Sequence, residues 1–439
     1  MNIIVLGGSA AGMSFAAKYK RNQPNDNVIV VEKRDYISFG ACGLPYFVAN
    51  KFSDTERMIS RTPEQAIESG LDIRLNTDVI ALNQTDKMVT VRHENKEQSL
   101  HYDQLIIATG ARPIIPDLGQ YNIKQVYTLT SMEDGIAVKK AMQDLSKPKI
   151  AIIGAGFIGL EMFDAAHDLG KNVTLIEREK HILSRQFSPE MIHNVEEAIR
   201  QTGTNLQLNT QVNYISDNHN SYTIATNNGD ITADIIILAL GFKPNTEFIE
   251  LPKLGNGALL VDKFGATQDP NIYAVGDCAS VHHLSLDKPL YLPLATTANK
   301  QARMMADRLS GKETYLTGFL GSSSLKVLDY ELASTGVSEW LAKQHHLSVN
   351  TSVINDKNQT DYYPGQEDIK IKLVYHPESN VLLGGEIIGK KGAVGRLNAL
   401  AVAITAKMTT QQLGYLDFSY APPFARTWDA LNVAGNVAK

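Results

Sequence analysis

Two stretches of the chain share one order of apolar and polar positions. The first opens with a mostly apolar run, Asn2–Leu6, followed by a turn of small residues at 7–12 and a stretch with helical spacing that reaches Arg21. A second apolar run, Asn27–Val31, then ends at Glu32. Short apolar runs on either side of a helical stretch predict a strand, a helix and a parallel strand, which make one βαβ unit.

The same order returns near the middle of the chain. A run at 149–153 is followed by a glycine turn at 154–159, a helical stretch to about Leu169, and a second apolar run at 173–176 that ends at Glu177. A repeat of this kind predicts that one supersecondary unit is used twice. The chain is therefore expected to be an α/β protein with two Rossmann-like domains.

Glycines with the spacing of a phosphate-binding turn stand at the start of each predicted helix. They are Gly7 and Gly12 in the first unit and Gly154, Gly156 and Gly159 in the second. Small residues let the backbone approach a pyrophosphate, the helix N-terminus offers free N–H groups, and the acid after the second strand accepts from ribose hydroxyls. Ser9 replaces the middle glycine of the first unit, and a serine is small enough to keep the turn. Two such units predict two bound dinucleotides.

Three later segments resemble the elements that close such units. The segment 102–111 ends in the residues ATGA, the segment 234–241 is its counterpart in the second unit, and the segment 271–277 ends in the residues GD. With these segments the whole chain resembles the two-dinucleotide flavoprotein disulfide reductases. The resemblance implies three domains: an FAD-binding domain at 1–111 and 243–320, an NAD(P)-binding domain at 112–242, and a C-terminal α+β dimerisation domain at 321–439.

The resemblance also implies which residues contact the cofactors. For FAD these are Gly7, Gly12, Glu32, Lys33, Ala108, Thr109, Gly110, Gly276, Asp277 and Ala295, with Asp277 on the ribityl chain. For the nicotinamide cofactor they are Gly154, Gly156, Phe157, Gly159 and Glu177, with Phe157 covering the flavin until nicotinamide displaces it. A carboxylate at Glu177 accepts from a free 2′-hydroxyl and repels a 2′-phosphate, which favours NADH, while the adjacent Arg178 leaves NADPH use open.

Two cysteines, Cys42 and Cys278, are too few and too far apart for a disulfide framework or a zinc site, and no metal site is expected. Cys42 lies in the sequence SFGACGLPY (38–46), which resembles the single-cysteine branch of the family: coenzyme A (CoA) disulfide reductases, water-forming NADH oxidases, NADH peroxidases and persulfide reductases. A thiolate beside an oxidised flavin is expected to have a lowered pKa and to attack a disulfide or a peroxide. Cys278 adjoins the flavin-binding turn and is expected to be structural.

With one redox cysteine, the covalent intermediate is either a mixed disulfide or a sulfenic acid. Ala10 stands where the peroxidases and oxidases have a histidine, which argues against peroxide chemistry, and the GLPY run after Cys42 resembles the CoA-disulfide reductases. The resemblance therefore implies that NAD(P)H reduces CoA disulfide through a Cys42–CoA mixed disulfide. Three alternatives remain open: an NADH oxidase that reduces O2, a CoA persulfide or polysulfide reductase, and a flavin-binding redox sensor without turnover.

Two C-terminal segments, DYYPG at 361–365 and SYAPPF at 419–424, resemble the paired tyrosine motifs of CoA-disulfide reductases. In that family these motifs enter the active site of the other subunit. The resemblance implies a homodimer in which Tyr362 and Tyr420 are catalytic. A phenol there donates a proton to the departing CoA thiolate or holds the mixed disulfide in line.

A CoA pocket also needs polar and cationic groups for the phosphates of its ligand. By resemblance, the expected substrate-binding residues are Ser14, Lys18, Arg21, Ser38, Arg61, Asn299 and Arg426. Ala41 departs from the asparagine that some relatives carry before the cysteine, which leaves one CoA contact open.

Composition narrows the partners to small molecules. The 439 residues include 42 basic and 47 acidic side chains for a net charge of −5, and no basic run is long enough to track a nucleic acid backbone. The longest apolar stretch, 235–240, is far shorter than a membrane helix, and the chain opens directly on a strand. The sequence therefore predicts a cytoplasmic enzyme that binds neither nucleic acid nor membrane.

Overall fold

The computed structural model describes residues 1–119, 126–315 and 318–438. Within these residues, the strands are β1 (Asn2–Leu6), β2 (Asn27–Val31), β3 (Asp72–Arg74), β4 (Thr77–Asn83), β5 (Met88–His93), β6 (Lys96–His101), β7 (Gln104–Ile107), β8 (Ala111–Pro113), β9 (Val126–Tyr127), β10 (Lys149–Ile153), β11 (Asn172–Ile176), β12 (Asn205–Gln207), β13 (Val212–Asp217), β14 (Tyr222–Thr226), β15 (Gly229–Ala233), β16 (Ile235–Leu238), β17 (Phe242–Pro244), β18 (Ile272–Ala274), β19 (Val281–His283), β20 (Lys288–Leu290), β21 (Ser323–Val327), β22 (Tyr330–Gly336), β23 (Asn350–Lys357), β24 (Asp368–Tyr375) and β25 (Leu382–Gly389).

The α-helices of the described residues are α1 (Ala10–Asn22), α2 (Leu44–Val48), α3 (Pro63–Glu68), α4 (Met132–Gln143), α5 (Phe157–Asp168), α6 (Pro189–Gln201), α7 (Ala295–Leu309), α8 (Glu339–Gln344), α9 (Ala393–Thr405), α10 (Thr410–Gly414) and α11 (Ala430–Val437). Two 3₁₀ turns lie at Ala41–Gly43 and Thr55–Met58. None of these helices combines the length and the apolar character needed to cross a membrane.

The two repeated units of the sequence form two parallel sheets with one strand order. The first sheet has the order β18-β7-β1-β2-β3, and the second has the order β12-β11-β10-β16-β9, which is the same arrangement read in the opposite direction. In both, the strand that precedes the glycine turn is central and pairs in parallel with the strand that carries the terminal acid. Each unit also has a three-stranded antiparallel sheet, β4-β5-β6 and β13-β14-β15 respectively. The predicted duplication is confirmed.

The first sheet takes one strand from much later in the chain. β18 pairs in parallel with β7, and helix α7 packs closely against α1. The segments that leave and re-enter the first unit run side by side, because β8 and β17 pair antiparallel. The division of the chain at residues 111 and 243 stays a prediction, although both crossings lie at this short ribbon.

The C-terminal part forms a third, antiparallel sheet. Its order is β21-β22-β25-β24-β23, and helices α9 and α11 cover it through an apolar cluster that includes Leu373, Ile387, Leu400 and Leu431. Helices and antiparallel strands thus segregate here, as an α+β domain requires. The predicted fold class, two Rossmann-like domains with a C-terminal α+β domain, is confirmed.

One apolar cluster joins the redox-cysteine segment to the other two parts of the molecule. Leu44 and Phe47 of α2 are buried with residues of α4 and α5 and with Val327 of β21. The approach of α2 to α4 needs a glycine, because a Cβ on Gly135 would lie 2.4 Å from Leu44 Cδ2. Lys139 of α4 also donates a hydrogen bond of 2.8 Å to the Phe47 carbonyl, so α2 is held at both its apolar face and its C-terminal end.

Candidate active site

The two glycine turns repeat each other at atomic detail. Gly7 and Gly154 both have positive φ, 109° and 104°, and a Cβ on either would collide with a carbonyl oxygen of the neighbouring strand segment: Ala108 O at 2.2 Å and Ala239 O at 2.4 Å respectively. Only glycine combines this φ with this approach. Each unit therefore places the peptide that follows its first strand directly against the segment that closes the same unit.

The last glycine of each turn is required for a second reason. A Cβ on Gly12 would lie 1.9 Å from the carbonyl oxygen of Gly7, and a Cβ on Gly159 would lie 1.9 Å from the carbonyl oxygen of Gly154. The helix can thus start immediately above the turn, where its free N–H groups face outward.

The middle position does not need glycine to fold. Gly156 has an ordinary φ of −80° and a Cβ there would meet nothing within 4 Å, while Ser9 has nearly the same backbone, with φ at −94°. Both residues are the N-caps of their helices, α1 and α5. The serine that departs from the glycine pattern is thus accommodated without strain.

The two terminal acids bind the turns that precede them. Glu32 accepts from the backbone N–H of Gly8 at 2.7 Å, and Glu177 accepts from the backbone N–H of Ala155 at 2.7 Å. The second oxygen of Glu32 accepts from Arg34 N–H at 3.0 Å, and Glu177 has the same bond with Glu179. A carboxylate has further lone pairs, so each acid is fixed at the mouth of its turn with capacity left for a ribose hydroxyl. The sequence predicted the acids but not these bonds.

The remaining predicted FAD residues surround the same edge of the first sheet. Thr109 donates a hydrogen bond of 2.7 Å to the Asn245 carbonyl, and Gly110 has positive φ. Gly276 packs so closely on α1 that a Cβ would lie 2.8 Å from Ala11 Cβ. Ala295 is the exposed first residue of α7, and Lys33 is exposed directly after Glu32.

Asp277 is the residue expected on the ribityl chain. Burial raises the pKa of its carboxyl to about 6, and the described residues offer no hydrogen bond that would offset this burial. A buried carboxyl without a protein partner suits a ligand that brings its own hydroxyl groups. Together with the glycine cradle of the first unit, this acid fits FAD, and the cradle of the second unit fits a nicotinamide dinucleotide.

Cys42 lies in the 3₁₀ turn that leads into α2. The preceding Ser38 has a positive φ of 53°, and its N–H donates to the Gly8 carbonyl at 2.8 Å, which ties the cysteine loop to the first glycine turn. The Ser38 carbonyl in turn accepts from Ser60 N–H and Oγ. A non-glycine residue in this region is strained, so these bonds hold the loop in a defined position.

The protein groups around Cys42 disfavour its thiolate. Burial, and then the negative charges of Glu161 and Asp277, raise the pKa of the Cys42 thiol, and only its own backbone N–H opposes them. The lowered pKa expected from a neighbouring oxidised flavin stays a prediction. Cys278 is fully buried, and its Sγ is 3.3 Å from the carbonyl oxygens of Ile107 and Val275, so it packs as a core residue.

Glu161 is a residue that the sequence reading missed. It lies on α5 one turn after Phe157, which is the first residue of that helix and packs against the apolar cluster around α2. Tyr46 of α2 donates a hydrogen bond of 3.3 Å to Glu161 Oε1, and burial raises the pKa of Glu161 to about 7. A charged residue at a partly buried position of an apolar helix was the signal available, because such positions are seldom acidic without a purpose.

The two predicted tyrosines meet each other. The hydroxyl groups of Tyr362 and Tyr420 are 2.6 Å apart, and the loops that carry them are joined by a hydrogen bond of 3.2 Å from Thr360 Oγ1 to the Pro422 carbonyl. Both side chains are exposed, at 70% and 43%. Neither tyrosine is among the groups that shift the pKa of Cys42 within the chain.

The predicted substrate residues fall into three places. Ser14 of α1 hydrogen-bonds Asn299 of α7, and on the same helix Lys18 forms an ion pair of 3.0 Å with Asp307, while Arg21 is exposed.

The other two places are separate from this α1–α7 group. Arg61 follows the Ser60 contact to Ser38 and has a buried Nη1 without a hydrogen-bond partner, so these residues belong to the cysteine loop. Arg426 lies in the C-terminal part, where it pairs with Asp356. Among the described residues no group of histidine, cysteine, aspartate or glutamate is arranged to hold a metal ion.

Comparisons with known proteins identify the class to which this architecture belongs. Residues 1–302 match the model of the pyridine nucleotide-disulphide oxidoreductases, and residues 322–431 match the model of their dimerisation domain. The chain belongs to the pyridine nucleotide-disulphide oxidoreductase family. It is an NAD(P)H-dependent flavoprotein oxidoreductase that acts on disulfides, with FAD and NAD(P)H as cofactors.

Its relatives have more than one activity. The CoA-dependent NAD(P)H sulfur oxidoreductase of Pyrococcus abyssi is 35% identical over 443 residues, which cover 100% of this chain and 98% of that protein. The coenzyme A disulfide reductase of Staphylococcus aureus is 29% identical over 100% of this chain and 99% of that protein. The solved water-forming NADH oxidase of Lactobacillus brevis has a TM-score of 0.96 at 28% identity and covers 99% of this chain and 97% of that one. The choice among these activities rests on the site.

Proposed function

We propose that this protein is a homodimeric CoA-disulfide reductase that uses NAD(P)H, FAD and a mixed disulfide on Cys42. The observation that carries the proposal is the hydrogen-bonded hydroxyl pair of Tyr362 and Tyr420, exposed on the C-terminal part of the chain. A pair of neutral phenols can protonate a leaving thiolate, a group that disulfide cleavage requires. Cys42 is the exposed thiol and Cys278 is buried, so one sulfur is available for chemistry.

In the proposed cycle, the Cys42 thiolate attacks one sulfur of CoA disulfide. The bond between the two CoA sulfurs breaks, a bond from Cys42 Sγ to CoA forms, and the first CoA leaves as a thiolate that takes a proton from the tyrosine pair. Bound FAD, once reduced by NAD(P)H, supplies the two electrons that split the mixed disulfide and release the second CoA. The chain itself holds the nucleotides with its two glycine cradles and their acids, Glu32 and Glu177.

The tyrosine pair is proposed to serve the Cys42 of the other subunit. This assignment is supported by the match to a dimerisation domain at 322–431, which contains both residues, and by the exposure of the pair in the single chain. For the substrate, Ser14 and Asn299 on the α1–α7 surface and Arg61 beside the cysteine loop are proposed to bind CoA. Lys18 and Arg21 would add positive charge for its phosphates, with Ser38 and Arg426 at the edges of the pocket.

A second candidate is reduction of CoA persulfide or polysulfide on the same cysteine. It is favoured by the similarity to a CoA-dependent NAD(P)H sulfur oxidoreductase, which extends over the full length of both chains. An NADH oxidase is disfavoured by Ala10, which lies at the first glycine turn and offers no acid or base to assist peroxide chemistry.

The test is NAD(P)H consumption by the purified yellow protein under three conditions: CoA disulfide without oxygen, CoA persulfide without oxygen, and air alone. We expect anaerobic turnover with two CoA thiols formed per NAD(P)H, its loss in Cys42→Ser, and its retention in Cys278→Ser. Faster turnover with persulfide would select the second candidate. Turnover in air alone would refute both and indicate an oxidase.

A further inference from the structure

Glu161 connects the second nucleotide-binding unit to the redox-cysteine segment. It lies on α5, and its carboxylate accepts from Tyr46 Oη, while Tyr46 belongs to α2, which begins two residues after Cys42. The two helices are locked together by the buried cluster that contains Leu44, Phe47 and Leu160. The position of the carboxyl relative to the thiol is therefore fixed by packing and by one hydrogen bond, and does not depend on a mobile side chain.

We propose that Glu161, held by Tyr46, is a positioning residue that controls the ionisation of Cys42, so that the thiol and the carboxyl together hold one negative charge. When Cys42 is a thiolate, Glu161 is protonated, and when Glu161 is ionised, Cys42 is a thiol. The consequence for catalysis rests on the proposed function, because it is the thiolate that attacks the disulfide.

The charges around the two groups are all of one sign. Besides Glu161, the group that faces Cys42 is Asp277, from the loop after β18, and it is also acidic. Glu161 in turn is influenced by Tyr46 and by Asp164 on its own helix. The cations near this surface are engaged elsewhere: Lys51 pairs with Asp168 at 2.8 Å, and Lys326 of β21 lies 3.9 Å from Asp164.

Two mutually repelling acids in a partly buried place do not ionise together. The pKa of the Cys42 thiol is raised by burial and by Glu161, and the pKa of Glu161 is raised to about 7 by burial. Below about pH 7 the carboxyl is neutral and leaves the thiol unopposed, whereas above it the carboxylate disfavours the thiolate. The Tyr46 hydrogen bond lowers the pKa of Glu161 and so sets the pH at which this change occurs.

The experiment measures the rate of Cys42 alkylation by iodoacetamide as a function of pH. The holoenzyme is first reduced with NADH and desalted, and peptide mapping separates Cys42 from the buried Cys278. Glu161→Gln removes the charge and keeps the size of the side chain. We expect it to be alkylated about three- to tenfold faster than the parent above neutral pH, because the thiolate is no longer opposed.

Tyr46→Phe is a second variant with a different signature. Without the hydrogen bond, Glu161 stays neutral to a higher pH, so alkylation should be faster than in the parent just above neutrality and equal to it in strong alkali. Glu161→Gln/Tyr46→Phe should match Glu161→Gln, because Tyr46 acts through the carboxylate. Asp168→Asn removes the same charge from the same helix, farther from Cys42 and already paired with Lys51, and should leave the profile unchanged.

The proposal is overturned if flavin-loaded Glu161→Gln and the parent have superimposable alkylation profiles, or if Asp168→Asn shifts the profile as much as Glu161→Gln does. These readouts do not require turnover. If the alkylation profile shifts as expected and CoA disulfide proves not to be a substrate, the proposed function fails and the control of Cys42 by Glu161 stands.

Discussion

The hydroxyl groups of Tyr362 and Tyr420 lie 2.6 Å apart although the residues are separated by 58 positions in the chain. Two loops of the C-terminal domain, one between β23 and β24 and one between α10 and α11, supply the two residues. The hydrogen bond with Tyr362 raises the pKa of Tyr420, so the pair stays protonated at neutral pH. One phenol thus donates to the other, and the pair presents one further O–H to a ligand.

Because the two phenols share one hydrogen bond, they are expected to act as a unit. Tyr420→Phe and Tyr362→Phe should each lower kcat for CoA disulfide by about 100-fold, which is typical for the loss of a proton donor. The double variant should be little slower than either single variant, because removing one hydroxyl already disables the pair. The measurement is steady-state kinetics without oxygen.

Tyr363→Phe is the matched control for this series, since Tyr363 is exposed in the same loop and contributes its backbone carbonyl to Gln359. It should keep parent activity. Additive losses in the double variant would show that the two hydroxyl groups act independently and would contradict a shared role.

The glycine turns give a prediction about stability that separates two glycines of one motif. Gly159→Ala places a Cβ 1.9 Å from the Gly154 carbonyl oxygen and should lower the free energy of unfolding by about 1–3 kcal/mol. Gly156→Ala places a Cβ in open space and should change it by about 0.5 kcal/mol or less, as Ser9 indicates for the equivalent position. Urea unfolding of both variants provides the comparison, and equal losses would contradict it.

The repeated units could be predicted because their signals are local. Each glycine turn, helix and terminal acid lies within about thirty residues, and the physical reasons for their order operate over that distance. The same locality explains why Ser9 could be accepted as a substitute for glycine before its backbone was known. Strand order in each sheet follows from the right-handed βαβ connection.

The contacts between domains could not be predicted in this way. Tyr46 and Glu161 are 115 positions apart, and nothing in either neighbourhood specifies the partner. The same is true of Lys372, which is 1% exposed and donates to Ser188 at 2.8 Å from a different sheet, 184 positions away. A sequence pattern shows that a residue is apolar or charged, whereas burial between domains depends on how two complete surfaces meet.

Choice of nicotinamide cofactor depends on Glu177 more than on its charged neighbours. Its carboxylate is fixed by Ala155 N–H and Glu179 N–H, so it cannot swing away from a 2′-phosphate. Glu177→Ser should therefore raise the ratio of kcat/KM for NADPH to that for NADH by about tenfold or more.

The matched control is Glu179→Gln, because the Glu179 side chain is exposed and bonded to Arg178 at 3.2 Å, away from the turn. It should leave the cofactor ratio within about twofold of the parent, as expected for an exposed charge that solvent screens. If both variants change the ratio equally, general surface charge sets the preference and Glu177 has no special role.

The last prediction concerns a buried ionic cluster between the second and third sheets. Lys372 on β24 binds Glu190 and Glu339, and the buried Glu386 on β25 accepts from Ser188 N–H and Oγ, each at 2.8 Å. Burial raises the pKa of Glu386 from 4.5 to about 7, even though these hydrogen bonds and Lys372 oppose the change.

A raised pKa means that the folded protein binds the Glu386 proton more tightly than the unfolded chain does. The contribution of Glu386 to stability is therefore complete below its unfolded pKa of 4.5 and is lost as pH rises through about 7. Glu190 in the same cluster has a lowered pKa and acts in the opposite direction, so the total curve mixes the two. A variant that removes only the Glu386 titration isolates its share.

Glu386→Gln stays neutral at every pH and can still accept a hydrogen bond from Ser188. Relative to this variant, the parent should lose stability between about pH 4.5 and about pH 7, by on the order of 3 kcal/mol at most, as followed by urea midpoints of the holoenzyme across that range. Glu378→Gln, which alters an exposed carboxyl, should track the parent. A constant difference between parent and Glu386→Gln across this pH range would mean that Glu386 does not titrate there, and that Lys372 holds it ionised throughout.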